Sequence, residues 1–397
     1  MIRRDDLLRD WLARISESEW VWYAKRLSAN DTGLTGGHQV GFYLPGDLAL
    51  TVAPELSEQV LNPRRELMFT LLSHDQQATP NLIYYNSRTI RHQANGRNEF
   101  RVTGFGGRRS ALQDPESTGS ILVTAWDRSN AVEAWLTTTV EEEDIIEGLL
   151  SPVEPATQIV RLATTGGQQA IQVRAQAECE PDIESLPPQW SDAFPSGREL
   201  TAEAVRRRPG TGDDVDRRLV DRYRCEFGLF KVLESAHTLP LISAGFRTVE
   251  EFLGIAQTVA NRRKSRAGRS LELHLEQVFR EEGVAYEAGA TTEGNRRPDF
   301  VFPSIDAYRE GRPTRMLGVK TSVKDRWRQV LDEAARIPDK HLFTLSEGVS
   351  PDQFGQMEGA GLRLVVPAGN MRHFPLTMQP KLLSLSVFLR LVASSAG

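Results

Sequence analysis

Asp299, in RRPDF (296–300), and Lys320, which closes MLGVK (316–320), constrain the fold of this chain more than any other feature. Each lies at one end of a short apolar run bounded by turn residues, and such runs read as strands, near 299–302 and 315–320. Further strands are expected near 341–345 and 362–366. Helices are expected over 215–235, 248–263, 270–283 and 325–337, with a last one over about 379–394. A basic turn, NRRKSRAGRS (261–270), separates two of them. Strands set among helices imply a mixed α/β domain around a central sheet.

The residue types carry a chemistry. Hydrolysis of a phosphodiester calls for a metal held by carboxylates, against the charge developing on phosphorus, and for a lysine that orients or activates water. Asp299 and Lys320 fit those roles. Magnesium takes hard oxygen ligands and keeps several waters, so one or two carboxylates beside a substrate phosphate suffice. Nucleases of the PD-(D/E)XK class carry an acid two positions before the lysine, but Gly318 stands there in this chain. The missing carboxylate is expected from Glu333, which on a helical wheel lies about 20° from Arg326. It borders an apolar stripe of Trp327, Val330, Leu331 and Ala334. A lone Pro-Asp pair is most often a turn, so the weight rests on the joint pattern. Glu272 and Glu276, four apart, share a helix face, which by spacing alone reads as an ordinary solvated surface.

The N-terminal half reads differently. A helix over 5–18 is followed by strands near 21–27, 67–73, 81–86, 99–105, 120–126 and 132–138, then a helix at EEDIIEGLL. Many short strands joined by turns suggest a barrel or sandwich. Two polar, glycine-rich loops, 30–43 and 88–109, offer His38, Tyr43, Arg88, Arg97, Asn98, Glu99 and Arg101. Arg pairs with guanine, Asn with adenine and Glu with the cytosine amino group, so such a set can read bases.

Net charge is −5, yet phosphate contacts need a basic patch and not a basic protein. Two patches exist: the arginines at 88, 91, 97, 101, 108 and 109, and the run Arg262, Arg263, Lys264, Arg266 and Arg269. Each is either a solvated surface or a phosphate-binding one; for Arg262, Lys264 and Arg266 phosphate neutralisation is expected. Compensating acid in EEED (141–144) and around 213–216 is expected to face away from nucleic acid. Two cysteines, Cys179 and Cys225, offer neither a disulfide framework nor a zinc quartet. With no signal peptide and no apolar run of about 18 residues, a cytoplasmic protein without membrane contact is expected.

PD, then VK, then a helical glutamate resembles the EcoRII-type restriction endonucleases, whose glutamate has migrated in the same way and in which a first-helix glutamate, here Glu272, lies near the active site. The likeness extends to KRLSANDTGLTGGHQVGFYLP, IYYNSR and LQDPESTG, which look like that family's effector domain. It implies a pseudobarrel DNA-binding domain over 1–178 and a PD-(D/E)XK-like α/β nuclease over 200–397. The Pro-, Ser- and acid-rich segment 179–199 then serves as linker. It further implies Mg²⁺-dependent cleavage of double-stranded DNA at a CCWGG-like site, autoinhibition relieved by a second, effector copy of the site, and a separate cytosine methyltransferase in the host. Cutting both strands of a near-palindrome implies a homodimer.

In nucleases of CC/GG-containing sites a triplet like Lys324, Asp325 and Arg326 reads the C and G edges; the alternative is a salt-bridged helix start, with Asp325 complementing the dipole. The resembling enzymes extrude the central base pair, and Tyr223 and Phe227, at i and i+4, either stack a flipped base or pack in the core. Other enzyme classes fit poorly: TGFGGRRS lacks a P-loop lysine, and no HExxH or GxSxG occurs. The remaining rival is a DNA-binding regulator with an inactive nuclease-like domain.

Overall fold

The computed structural model describes residues 3–394 except 18, 38–39, 58–59, 93–95, 128, 164–168, 175–178, 180 and 211–213. By its internal contacts the chain forms two units. The first comprises Met1–Arg174 with Ser346–Gly355 and Arg372–Met378; the second holds the rest.

Period-2 patterning builds the first unit. Its larger sheet has seven strands, in the order Gln169–Arg174, Gln158–Ala163, Val21–Arg26, Ile121–Trp126, Ala131–Leu136, Met68–Leu71 and Gln76–Ala78. Met68–Leu71 pairs in parallel with Ala131–Leu136; every other pairing is antiparallel. Trp22 and Ala24, with Ile121, Val123 and Ala125, face a helix, Arg4–Glu17, through its Leu8, Trp11, Leu12 and Ile15. Tyr23, Leu122 and Trp126 face the other way, into a core shared with Phe42, Leu82 and Val102 of a second sheet. Because both faces are covered, Ile121–Trp126 is buried at every position. The second sheet runs Gly41–Leu44, Glu99–Thr103, Asn81–Tyr85, Arg64–Glu66, all antiparallel. In the acid run at 141–144, Glu142 and Glu143 are buried, bonded to Arg4 (2.6 Å) and Arg26 (2.8 Å).

The second unit is the expected mixed α/β arrangement. Its sheet runs Glu287–Ala288, Phe300–Phe302, Arg315–Val319, Lys340–Phe343, Leu362–Val365, antiparallel at the first two pairings and parallel at the last two. Phe279, Phe300, Phe302, Val319, Phe343 and Phe388 form its core with Leu219, Leu275 and Leu385. The flanking helices are Val215–Ala244, Val249–Glu281 and Leu385–Ala393.

Three expectations are corrected here. The basic run 261–270 is no turn: it lies inside one 33-residue helix, Val249–Glu281, that merges the two expected helices. Arg263 and Arg266 ion-pair with Glu234 (2.6 Å) and Glu226 (3.1 Å) of the neighbouring helix, and those bonds hold the middle turns helical. The expected helix over 325–337 is only a 3₁₀ turn, Lys324–Trp327, and one helical turn, Arg328–Leu331. The two cysteines are bonded, Cys179 to Cys225, with Cα atoms 4.5 Å apart. Around that bond Leu186 and Trp190 pack on Leu200, Leu229 and Leu233, so the segment expected as linker contributes to this unit's core.

Candidate active site

Asp299 immediately precedes the strand Phe300–Phe302, and Lys320 immediately follows Arg315–Val319. The two strands are antiparallel with Phe300 opposite Leu317, which carries Asp299 to the end of the pair where Lys320 emerges. There the Val319 N–H donates to Asp299 Oδ2 at 2.6 Å, and the Lys320 N–H donates to the Phe343 carbonyl at 3.0 Å. Both residues are therefore fixed by backbone hydrogen bonds to adjacent strands.

Gly318 leaves no room for a side chain two positions before Lys320. A Cβ at that position would meet the Val330 methyls at 2.8 and 2.9 Å, so the strand accepts Val330 only because residue 318 has no side chain. Val330 belongs to the helical turn Arg328–Leu331, and the chain beyond it bears Glu333. Glu333 is not on a helix, as the wheel had placed it; it sits in a bend after the helical turn ends, and its N–H donates to Val330 O at 3.2 Å. One carboxylate oxygen, Oε2, is buried with no hydrogen-bond partner.

The charges show that the expected residues converge. Burial, and then the charge of Asp299, push the Glu333 carboxyl up to about 7, against Lys320, Lys340 and Arg296. Burial and Asp299 push Glu272 up to about 7 as well, against Arg269 and Lys320. Asp299 is itself raised by burial, opposed by Lys320, the Val319 N–H and Arg269. Asp299 thus lies within electrostatic reach of both Glu272 and Glu333, and Lys320 within reach of all three. Among the described residues no group of three or more His, Cys, Asp or Glu side chains is arranged to hold a metal. Two carboxylates, one with a vacant oxygen, still match the sparse protein ligation that magnesium accepts.

The neighbouring candidates divide. Arg269, named only as part of a basic run, donates to Glu272 Oε2 at 3.1 Å. Lys264 is exposed and the Arg262 guanidinium lies 4.4 Å from the Phe194 ring centroid. Arg266 is buried, paired with Glu226 and stacked over Phe227 (4.4 Å) and Tyr223 (5.2 Å), so its charge is spent inside the fold. Tyr223 is buried with its ring edge-on to His274. Arg198, Arg262, Arg266 and Arg269 line a cavity of about 640 Å³ with Phe194, Phe230 and Glu226. Lys324 and Arg326 are half-buried in the 3₁₀ turn after Lys320; the Asp325 side chain lies outside the described set.

In the first unit, Tyr43 stands opposite Arg101 across the strands Gly41–Leu44 and Glu99–Thr103. Arg101 Nε and Arg97 Nη1 both donate to Glu99 Oε1, at 3.2 and 3.1 Å, and Arg101 Nη1 donates to Gly41 O at 3.0 Å. Asn98 Nδ2 donates to Thr89 Oγ1 at 2.8 Å. Arg88 is exposed, and its N–H donates to Arg97 O at 3.2 Å. Tyr43, Arg97, Glu99 and Arg101 therefore share one polar patch, opposite the inward Phe42, Phe100 and Val102. Burial raises the Tyr43 hydroxyl, helped by Glu99 and Asp47. His38 lies outside the described residues.

Comparison with known proteins accounts for both units. The family "Restriction endonuclease EcoRII, N-terminal" matches residues 16–164, and "EcoRII C terminal" matches residues 230–389. A curated relative, the type II restriction enzyme EcoRII of Escherichia coli, is 39% identical over 396 residues, covering 96% of each chain. Among solved structures, metal-depleted Ecl18kI in complex with uncleaved, modified DNA has a TM-score of 0.46 at 17% identity, covering 52% of this chain and 80% of its own. A PspGI–substrate DNA complex has a TM-score of 0.43 at 17% identity, covering 54% and 97%. Likeness at that level adds nothing to an assignment that the sequence identity already makes across the whole length. The chain belongs to the EcoRII family of type II restriction endonucleases, enzymes that cut DNA at specific sites.

Proposed function

We propose that the second unit hydrolyses double-stranded DNA in a Mg²⁺-dependent reaction at a CCWGG-like site, with Asp299 and Glu333 as metal ligands and Lys320 as the residue that orients the attacking water. The observation that carries this is the vacant, buried Oε2 of Glu333 beside Asp299. A divalent cation bound there would neutralise the crowded carboxylates and supply Lewis-acid stabilisation of charge on phosphorus. Asp299, pinned by Val319 N–H, holds one side of the site. Lys320 holds water in line and offsets the charge that grows on the phosphate oxygens. Glu272, restrained by Arg269, adds an acid within electrostatic reach of Asp299, while Lys264 and Arg262 meet DNA phosphates.

Specificity falls to the turn Lys324–Trp327. The test is plasmid DNA with mapped ends: cleavage at one sequence in Mg²⁺, stopped by EDTA. Arg326→Ala should lower affinity for that sequence by about one to two decades, since a bidentate Arg–guanine pair contributes about 1–3 kcal/mol, while binding to random DNA barely changes. Equal losses on both DNAs mean that Arg326 touches phosphate only, and a binding protein without Mg²⁺-dependent cleavage is the inactive regulator instead.

The first unit we read as the pseudobarrel effector domain, binding a further copy of the site through Tyr43, Arg88, Arg97, Asn98, Glu99 and Arg101 and holding the nuclease in check until it does. Its bounds would be 1–178 and those of the catalytic domain 200–397, except that 346–355 and 372–378 join the first unit and Leu186 and Trp190 join the core of the second. The enzyme would work in the cytoplasm beside a cognate cytosine methyltransferase.

Cutting two strands needs two active sites related by a two-fold axis, and the chain offers a surface for the second copy. Where the helices Val215–Ala244 and Val249–Glu281 meet, Leu239, Leu241, Ile242, Val249, Phe252 and Leu253 are all exposed. A helical hairpin apolar on its outer faces is ordinarily buried, and two copies can close into a four-helix arrangement. The full chain should run at twice 44.4 kDa by light scattering, and Ile242→Glu with Phe252→Glu should make it monomeric. An unchanged dimer places the interface elsewhere.

A further inference from the structure

Lys340 is buried at the start of the strand Lys340–Phe343. Nζ donates to three main-chain carbonyls, of Glu333 at 2.7 Å, Ala334 at 2.9 Å and Ile337 at 3.0 Å. Three donors meet three acceptors, which is the full capacity of a lysine.

Those acceptors belong to the stretch that carries the displaced carboxylate. The helical turn Arg328–Leu331 ends just before it, so its following carbonyls have no next turn to bond. Ala334 adopts a left-handed backbone at φ +45°, costly for a residue with a Cβ and maintained only when the surroundings fix it. The Ile337 N–H closes the loop on Ala334 O at 2.9 Å. Lys340 is in turn tied to the sheet, its N–H donating to Gly361 O at 2.9 Å. The sheet thus holds this irregular loop through the Lys340 ammonium, while Arg336 ties its far end, its N–H donating to Tyr308 Oη at 3.2 Å and its guanidinium pairing with Glu293 at 2.8 Å.

We infer that Lys340 is a positioning residue for the metal site: its ammonium clamps the 333–337 loop to the sheet so that the Glu333 carboxylate is held toward Asp299 and Lys320. It touches neither substrate nor metal and acts only through Glu333. This rests on the reading of Glu333 as a metal ligand. It accounts for a lysine buried among carbonyls, which a purely apolar residue would replace at lower desolvation cost if packing were its whole purpose.

The test uses the full chain and Mn²⁺ as the metal, with free Mn²⁺ followed by electron paramagnetic resonance, alongside cleavage over a range of Mg²⁺ concentrations. Lys340→Met keeps the length and removes the three bonds. Loss of a residue that orients a ligand typically weakens metal affinity about 10–100-fold, so Mn²⁺ binding should weaken on that scale. Cleavage should need correspondingly more Mg²⁺ and recover much of its rate at saturation. Lys340→Arg, too long to meet the same three carbonyls, should show the same shift and serves where the methionine variant does not fold. In a Glu333→Ala background neither substitution should change Mn²⁺ affinity further. Wild-type metal affinity in a folded Lys340 variant, or a further loss in the Glu333→Ala background, overturns the inference. Wild-type affinity in Glu333→Ala itself overturns the reading of Glu333, a separate outcome.

Discussion

Cleavage should disappear when Asp299, Lys320 or Glu333 is replaced by alanine, with a loss of at least about three decades for each, while binding to the specific sequence survives. Residues that act as one assembly are not additive: removing any one costs nearly as much as removing all. The same substitutions should not harm the fold. Burial and Asp299 raise the Glu333 carboxyl from 4.5 to about 7, so the folded chain favours its protonated form. The stability that accompanies this is complete below the ordinary value and is lost as pH rises through about 7. At pH 8 without divalent cations, Glu333→Ala should therefore unfold at a temperature no lower than the wild type, although it cuts nothing. Single-turnover cleavage and thermal unfolding together decide the matter. Near wild-type cleavage by Glu333→Ala removes it from the site and makes Glu272, raised by the same two causes, the carboxylate to test next.

That site was half legible in the sequence. Asp299 and Lys320 flank strands whose apolar runs mark them, and an antiparallel return brings the ends of two such strands together. Glu333 was expected on a helix, and that placement was wrong. A helical wheel assumes that the helix continues, whereas the chain leaves it at Leu331 and turns through a left-handed Ala334 under the hold of Lys340. Nothing local announces that, because Lys340 lies in the next strand. The basic run shows the same limit: Gly268 and its serines weaken helix propensity, but ion pairs to Glu226 and Glu234 on another helix override it. The Cys179–Cys225 bond depends on how Leu186 and Trp190 pack, which no spacing rule contains. Strands around Trp22, Tyr23 and Val123 were readable because each face repeats every second residue.

Control of the enzyme should lie with the polar patch of the first unit. On a plasmid with one site the full chain should cut slowly, and short duplexes bearing the site should stimulate it by about 5- to 150-fold, the range of ordinary coupling free energies. A ligand shifts an equilibrium only by its differential affinity for the two states, so weakening its contacts must weaken activation. Arg97 is exposed and shares the Glu99 carboxylate with Arg101, which also donates to Gly41 O. Arg97→Ala alone should thus raise the duplex concentration needed, and Arg97→Ala with Arg101→Ala should remove stimulation while leaving basal cleavage. An unchanged thermal transition would show that loss of the Gly41 bond is not the cause. The full chain is the proper material, because the first unit includes residues 346–355 and 372–378, which a truncation after residue 178 would strand. Indifference to added duplex, or stimulation that persists in the double variant, would leave the first unit as a targeting module with no part in control.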